Sequence, residues 1–154
     1  MINIKLIVVG KIKEDYLNEA IQEYLKRIKP MANLSLIELK EYTNYDVSRN
    51  LKEESKLILN NINDNDFVVT LEIEGKELSS EGFSEYINNH YLYNNKALTF
   101  IIGSSDGLDN DVKNRSDYKL SFSKMTFPHQ LMRVIFLEQL YRALSIINNK
   151  KYHK

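Results

Sequence analysis

Short apolar runs alternate with segments of helical periodicity along the whole chain. The runs cover residues 2–9, 34–39, 67–73, 97–102 and 119–122, and they have the length and side-chain content of buried strands. Between them, apolar side chains recur at helical spacing over residues 15–29, 48–61 and 80–94, a short helix is predicted at 110–115, and a last one from Pro128 to about Ile147. This alternation predicts an α/β fold with a mainly parallel sheet and helices on both faces.

Length and composition favour a single domain over residues 1–154. A chain of 154 residues suits one domain, and it contains no repeat, linker or low-complexity tract. The absence of Cys excludes disulfides and thiolate metal sites, and the three histidines lack the spacing of metal ligands, so no metal is expected. The chain shows neither a signal-peptide pattern nor an apolar run of membrane-spanning length, so we expect a cytoplasmic protein with no membrane partner.

Charge is distributed unevenly although the chain is formally neutral. Lys and Arg number 21, as do Asp and Glu, and zero net charge taken alone argues against a nucleic-acid partner. Residues 113–154, however, hold 9 basic and only 2 acidic side chains, whereas residues 1–112 hold 12 and 19. This asymmetry favours one basic surface on an acidic body, and chance placement on a mixed surface is the alternative.

The last predicted helix is apolar on nearly every side. Of its 17 residues from Leu131 to Ile147, 12 are apolar, whereas a surface helix of a small monomer shows a wider polar face. Burial by its own sheet and by a second subunit explains the pattern, and a twofold homodimer is the simplest such arrangement. A central helix of a monomer is the alternative.

Three loops that follow predicted strands are candidate ligand sites, because open α/β sheets bind ligands at the carboxyl ends of their strands. They comprise residues 71–75, 102–108 and 121–129. The glycines of the second loop permit close ligand approach, although an ordinary turn has the same composition. The third loop sets two Phe and a Met among Ser, Thr and Lys, which suits an adenine and ribose pocket or else a hydrophobic plug. Glu72 and Glu74 are interpreted as solvated charges.

The C-terminal tail ends in Tyr152, His153 and Lys154. Together they offer an aromatic ring for stacking, an imidazole and a cation, which could hold and deprotonate a nucleobase. A frayed terminus without function is the alternative.

Several segments closely resemble the RlmH family, the bacterial large-subunit ribosomal RNA pseudouridine N3-methyltransferases of the SPOUT, or α/β-knot, superfamily. The resemblance covers nearly the whole chain, is strongest from residue 67 to residue 154 and is weak across 40–66. The segments that carry it are Ile4–Lys13, Leu71–Lys76, Phe100–Leu108, Leu120–Arg133, Glu138–Ala143 and Tyr152–Lys154.

This resemblance implies a C-terminal trefoil knot, a homodimer, and methyl transfer from S-adenosylmethionine to N3 of a pseudouridine in 23S rRNA of the assembled ribosome. His153 would be the general base, Tyr152 would orient the target base, and Arg142 would stabilise its anion or grip a phosphate, unless Arg142 only pairs with Glu138 four residues earlier. Lys154 and Arg133 would contact RNA. The residues that match the cofactor-binding segments are Leu71, Gly103, Phe122, Ser123, Lys124, Met125, Thr126 and Phe127.

One position departs from the family pattern, since Ser104 stands where a second glycine usually follows Gly103. If that position needs a positive φ, Ser costs on the order of 1 kcal/mol and could weaken cofactor binding. Two other functions remain compatible with the sequence: a related SPOUT methyltransferase with another RNA target, and a dimeric ribosome-binding module without catalysis.

Overall fold

A computed structural model describes all 154 residues, and it contains the five strands and five helices that the sequence predicts. In chain order the elements are β1 (Ile2–Val9), α1 (Asp15–Ile28), β2 (Ala32–Leu39), α2 (Val47–Asn60), β3 (Phe67–Glu77), α3 (Ser80–Tyr93), β4 (Leu98–Ile102), α4 (Asn110–Arg115), β5 (Tyr118–Ser121) and α5 (His129–Ile147).

The five strands form one parallel sheet in the order β2-β1-β4-β3-β5. The central strand β4 is buried along its whole length, which explains its continuous apolar sequence. Because all strands run the same way, the loops that follow them meet at one edge of the sheet. The predicted fold class is therefore confirmed, while the trefoil knot stays a prediction.

Helices cover both faces of the sheet. On one face α5 packs between α1 and α3 over a core of 20 buried residues that includes Phe83, Phe100 and Phe136. On the other face α2 and α4 pack together, and a smaller cluster that contains Ile58 and Val112 lies beneath them. No helix of the structure has both the length and the apolarity that crossing a membrane requires.

Strand β3 extends further than its sequence predicts. The predicted strand ends at Ile73, whereas β3 runs to Glu77, and its pairing with β5 breaks after Leu71 and resumes at Lys76. A side chain at Gly75 would lie 2.8 Å from the backbone of Lys119, so only glycine lets the two strands come together again after the break. The intervening residues bulge away from the sheet and are free to line a site.

Helix α5 is buried on the side that faces its own sheet and partly covered elsewhere. Phe136, Leu140 and Ala143 are fully buried. On the outer side Leu131 is 39% exposed and Ile135 is half-buried. One chain thus covers much of this apolar helix and leaves a strip of it in contact with solvent.

Candidate functional site

The bulge of β3 and the loops after β4 and β5 surround one cavity of about 170 Å³. All three loops predicted to bind a ligand contribute to its wall. Seven of the eight predicted cofactor residues line it, namely Leu71, Gly103, Phe122, Ser123, Met125, Thr126 and Phe127. The eighth, Lys124, is exposed and is not part of the wall.

The wall of the cavity combines apolar and polar groups. Leu71, at the break in β3, contributes an alkyl group, as do Ile102 and Leu120 near the ends of β4 and β5, and Phe122 adds an aromatic ring. The loop 103–107 contributes backbone groups and two serines. Such a lining suits a ligand with one flat apolar part and one part rich in hydrogen-bonding groups.

Gly103 is required by the path of its own loop. A Cβ atom there would lie 2.4 Å from the carbonyl oxygen of Gly107, which is closer than any side chain can approach. The loop closes because the Gly107 N–H donates to the Ser104 carbonyl at 2.9 Å, with Gly107 at a φ of 89°. Both glycines therefore give this part of the cavity its shape.

Ser104 does not carry the strain that its position in the glycine loop suggests. The residues with positive φ are Gly10, Gly107 and Asn149, so Ser104 lies outside the region where a side chain costs energy. Its side chain is instead buried, and the hydroxyl donates to Glu54 Oε1 at 2.9 Å. The expected conformational penalty is absent, and the hydroxyl has a specific partner.

Only one of the two glutamates at the end of β3 is solvated, so the interpretation of Glu72 was wrong. The Glu72 side chain is 4% exposed, accepts a hydrogen bond from Thr70 Oγ1 at 2.6 Å and lies 3.7 Å from the Lys113 ammonium group. Glu74 is exposed, with Lys113 at 3.4 Å. Because β3 bulges here, Glu72 turns inward and borders the cavity.

The segment 121–127 acts both as a plug and as a wall. Phe122 packs against Phe83 and Phe136 with ring centroids 6.0 Å apart, and it also lines the cavity. The Ser123 hydroxyl accepts a hydrogen bond from the Met125 N–H at 3.0 Å, which turns the chain and leaves Met125 exposed. The two interpretations of this loop are therefore compatible.

His129 is a cavity residue to which the sequence assigns no role. It begins α5, and its Nε2 atom is buried without a hydrogen-bond partner. A buried polar atom in a cavity wall needs a partner, which a polar ligand can supply. The position of His129 directly after Pro128, at a helix start beside three loops, is the sequence signal that could have identified it.

The C-terminal tail is anchored to α5 and α3. The Tyr152 hydroxyl donates to Glu138 Oε1 at 3.1 Å, and the Arg142 guanidinium donates to the same oxygen at 2.7 Å. Arg142 also lies over the Tyr152 ring, 4.7 Å from its centroid. Burial and the Glu138 carboxylate raise the pKa of Tyr152, so its hydroxyl stays protonated as a donor. The tail is thus ordered here, and Arg142 forms the ion pair with Glu138 that its spacing predicts.

Both ring nitrogens of His153 have partners. Nδ1 lies 3.0 Å from Arg142 Nη1, and Nε2 lies 2.6 Å from Glu81 Oε1 in the first turn of α3. Arginine can only donate, so Nδ1 accepts, and Nε2 carries the proton that it donates to Glu81. The hydrogen bond from His153 lowers the pKa of Glu81, which keeps that carboxylate ionised.

The prediction that Arg133 contacts RNA is wrong, because Arg133 is an internal structural residue. It is 1% exposed, donates from Nη1 to Glu38 at 2.8 Å and from Nη2 to the Gly10 carbonyl at 2.9 Å. Its guanidinium therefore ties α5 to the ends of β1 and β2 and cannot reach a phosphate outside the protein.

The tail and the cavity lie at different positions along α5. Met132 lines the cavity, whereas Arg142 lies ten positions later, about 15 Å along the helix axis. A second cavity of about 330 Å³ shares Phe122 and Phe127 with the first and extends to Ser80 and Gln139. One chain therefore does not bring the predicted catalytic tail into the wall of the predicted cofactor cavity.

The basic surplus of residues 113–154 is partly neutralised in the fold. Four of its cations form ion pairs: Lys113, Arg115, Arg133 and Arg142. The other five are exposed lysines without an ion pair: Lys119, Lys124, Lys150, Lys151 and Lys154. Three of these five belong to the tail, so the remaining positive charge is concentrated beside Tyr152 and His153.

Known families and proteins resemble the chain over nearly its whole length. A family model described as "Predicted SPOUT methyltransferase" matches residues 2–153. The chain is 48% identical over 157 residues to ribosomal RNA large subunit methyltransferase H of Carboxydothermus hydrogenoformans, with 98% of this chain and 99% of that protein covered. It is 49% identical over 158 residues to the protein of the same name from Clostridium perfringens, with 99% of each covered.

Two solved structures share the fold. A probable methylase family protein from Haemophilus influenzae Rd KW20 aligns with a TM-score of 0.59 at 14% identity, over 99% of this chain and 71% of that chain. A probable methyltransferase from Bordetella pertussis Tohama I aligns with a TM-score of 0.54 at 10% identity, over 93% and 95%. At such identities the likeness is one of fold.

Proposed function

The chain belongs to the SPOUT methyltransferase family, within it to the ribosomal RNA large subunit methyltransferase H proteins, and we propose that it methylates N3 of a pseudouridine in 23S rRNA of the assembled ribosome, with S-adenosylmethionine as donor. That the chain is a methyltransferase follows from its family. The donor, the target atom and the ribosomal context are the parts that we propose. A ribosomal substrate also implies that the protein acts in the cytoplasm.

The cavity at the carboxyl edge carries the proposal. Its alkyl and aromatic groups suit an adenine ring, and the backbone of loop 103–107 offers hydrogen-bonding groups for a ribose or an amino acid moiety. One further feature fits a polar ligand: Nε2 of His129 is buried without a hydrogen-bond partner. When bound, S-adenosylmethionine supplies an electrophilic methyl group on a sulfonium that leaves readily.

The tail supplies the proton transfer. The imide N3 of the base is a good nucleophile only after it loses its proton, so a base must accept that proton. His153 Nδ1 holds a lone pair that now accepts from Arg142, while Nε2–H donates to Glu81. In the proposed step the substrate N3–H replaces Arg142 at Nδ1, and the proton moves to Nδ1. The Glu81 carboxylate then stabilises the imidazolium, and Arg142 donates to the adjacent carbonyl oxygen, where negative charge develops.

Charged and aromatic groups around His153 suit an RNA substrate. The edge of the Tyr152 ring is available to position the base. The ring also packs against Tyr141, with 4.6 Å between the two ring centroids. Lys154, with Lys150 and Lys151, supplies unpaired cations for phosphates. Arg133 has no part in this surface.

A homodimer would bring the two parts of the site together. Within one chain, the cavity and the tail lie about 15 Å apart along α5. The outer side of α5, with Leu131 and Ile135, is apolar and incompletely covered. If two copies pair antiparallel through this side, the tail end of one α5 lies beside the cavity end of the other. Each active site would then combine the donor cavity of one copy with the tail of the second.

Labelled methyl transfer tests the proposed function. Ribosomes from a strain that lacks the modification would be incubated with the protein and methyl-labelled S-adenosylmethionine, and the labelled nucleotide would be mapped by mass spectrometry. The expected result is one label on N3 of a 23S pseudouridine, with free 23S rRNA as the control substrate. Label on another nucleotide would assign a different target, and binding to ribosomes without donor binding or transfer would leave only a non-catalytic binder.

A further inference from the structure

A buried carboxylate behind the cavity wall joins two of the loops at the carboxyl edge. Glu54 lies on α2, is 3% exposed, and accepts hydrogen bonds through both oxygens. Oε1 accepts from the Ser104 hydroxyl at 2.9 Å, and Oε2 accepts from the Tyr42 N–H at 3.0 Å. Glu54 itself does not line the cavity, whereas Ser104 does.

The two contacts span the end of β1. Tyr42 follows β2 and Ser104 follows β4, and β1 lies between these two strands in the sheet. Close beside this point, a Cβ atom at Gly10 would lie 3.3 Å from Glu41 Oε2 and 3.5 Å from His129 Nε2. Glu54 thus holds together loops that converge on the cavity from both sides of β1.

Through Ser104, the hydrogen bond to Glu54 acts on the wall of the cavity. The Ser104 carbonyl accepts the hydrogen bond that closes the turn to Gly107, and its hydroxyl is fixed by Glu54. The turn is therefore fixed at one end by the carboxylate and at the other by the close approach of Gly107 to Gly103. A residue at position 104 that lacks the hydroxyl would not form the hydrogen bond to Glu54, and the turn would lose the first of these two constraints.

We propose that Glu54 is a positioning residue for the methyl donor, which acts through the Ser104 hydroxyl to hold loop 103–107 in its binding shape. This inference rests on the proposed donor site. It also assigns a role to Ser104, because the serine that departs from the glycine pattern supplies the hydroxyl through which the carboxylate acts. Loss of either partner should weaken donor binding by the same amount, since both remove the hydrogen bond between Ser104 and Glu54 through which the loop is held.

Donor affinity measured in a double-mutant cycle tests this. S104A and E54L should each raise the dissociation constant of S-adenosylmethionine about tenfold in titration calorimetry, the loss expected for one hydrogen bond to a buried carboxylate. The double variant should raise it no further. E54Q should stay within about twofold of the unmodified chain, because its amide can accept from Tyr42 and donate to the Ser104 oxygen. In turnover assays the donor KM should rise while kcat at saturating donor stays the same.

Ser84 provides a matched control. It is also a buried serine, and its hydroxyl donates to the Ala143 carbonyl at 3.1 Å, between α3 and α5. S84A should lower the urea midpoint of unfolding as S104A does and leave the donor dissociation constant unchanged. The inference is overturned if S104A and E54L bind the donor as the unmodified chain does, or if their effects add. If the unmodified chain binds no S-adenosylmethionine, the proposed function fails instead, and this inference with it.

Discussion

The guanidinium of Arg133 donates to the carbonyl oxygen of Gly10 at 2.9 Å, in the interior between α5 and the end of β1. Burial lowers the pKa of Arg133, and the hydrogen bond that Arg133 donates to Glu38 opposes that shift, so the side chain stays charged. Gly10 has a φ of 95°, a backbone conformation that glycine adopts without strain. This contact fixes the start of α5 against the sheet edge that holds the cavity.

Truncation of Arg133 should destabilise the fold strongly. Arg133→Ala leaves the Gly10 carbonyl without its donor and separates Glu38 from its partner, at a cost of about 3 kcal/mol in the free energy of unfolding. Arg133→Lys should lose less, because an ammonium group keeps the charge but cannot serve both acceptors with a planar fork. Urea unfolding measures both.

Arg27→Ala is the surface control, because Arg27 pairs with Glu23 on the exposed side of α1 and its loss should change stability little. If Arg133→Ala unfolds at the same urea concentration as Arg27→Ala, the buried contact does not stabilise the chain. Arg133→Lys should also keep the salt dependence of ribosome binding, because no phosphate contact is lost.

Substitution of Gly103 should act on the donor site. In Gly103→Ala the new methyl group would lie 2.4 Å from the Gly107 carbonyl oxygen, so loop 103–107 has to move. We expect donor affinity to fall by more than about tenfold, since a backbone shift misplaces several groups at once. Calorimetric titration with S-adenosylmethionine gives the affinity.

Gly82→Ala serves as control, since its methyl group would meet only side-chain atoms: the Ser79 hydroxyl oxygen at 3.2 Å, and Leu78 at ordinary contact distances of 3.8 and 3.9 Å. Equal donor affinity in the two alanine variants would show that the loop tolerates a side chain at position 103.

Glu54 should make stability fall as pH rises. Burial raises the pKa of Glu54, although hydrogen bonds from Tyr42 and Ser104 work against this. Between the ordinary pKa of a glutamate, about 4.3, and this raised value, the folded chain binds a proton that the unfolded chain has released. Unfolding therefore becomes easier as pH rises through this range. Glu54→Gln lacks the effect and should gain stability relative to the unmodified chain as pH rises above about 4 in urea unfolding.

The pKa of Asp66 is shifted in the opposite direction, so an Asp66 variant serves as the control for the pH dependence of urea unfolding. Burial acts to raise its pKa, but hydrogen bonds from the Asn63 N–H and from Lys5, together with the charge of Lys5 at 2.9 Å, lower it overall. Its ionised form stabilises the fold above the unfolded pKa, and that contribution is lost as pH falls. Asp66→Asn should therefore lose most relative to the unmodified chain near neutral pH. Equal pH slopes for the Glu54 and Asp66 variants would contradict both assignments.

Removal of the imidazole of His153 should abolish transfer and spare donor binding. His153→Ala loses the acceptor for the N3 proton, for which we expect kcat to fall by about 10²- to 10⁴-fold. Donor affinity should stay the same, because His153 does not line the cavity. His153→Gln keeps hydrogen-bonding groups but cannot take the proton, and it should be equally slow. If His153→Gln transfers methyl groups at the original rate, the residue only positions the base.

The fold could be predicted from the sequence because each element carries its own periodic signal. The apolar run of β4 and the helical spacing of α1 depend on contacts within a few residues, and both elements lie where the patterns place them. The extension of β3 to Glu77 was missed because it depends on Gly75 fitting against Lys119, a contact 44 positions away in the chain. Local patterns do not report such contacts.

The site was predictable to the extent that it consists of loops at the strand ends. The residues 122–127 and Gly103 follow from topology and family resemblance, and all but Lys124 line the cavity. The burial of Glu54 and Arg133 could not be predicted in this way. A glutamate in an acidic segment and an arginine in a basic segment give no sign in the sequence that either is buried. Their environments are set by partners more than 45 positions away, Ser104 and Gly10.

Disruption of the outer side of α5 should both separate the two copies of the proposed dimer and stop methyl transfer. Ile135 is half-buried on this side, in one chain, so Ile135→Glu places a charge where the second copy would pack and where desolvation is costly. We expect sedimentation to show a monomer and kcat to fall by more than about 10²-fold, since the tail of a second copy no longer reaches the cavity. Tyr16→Glu, an exposed position on α1, is the control and should stay dimeric and active.

Mixing the catalytically impaired Gly103→Ala and His153→Ala chains should restore transfer, because one copy in the mixed dimer then offers an intact cavity and the other an intact tail. A mixture that stays inactive, or an active Ile135→Glu monomer, would place the complete site within one chain.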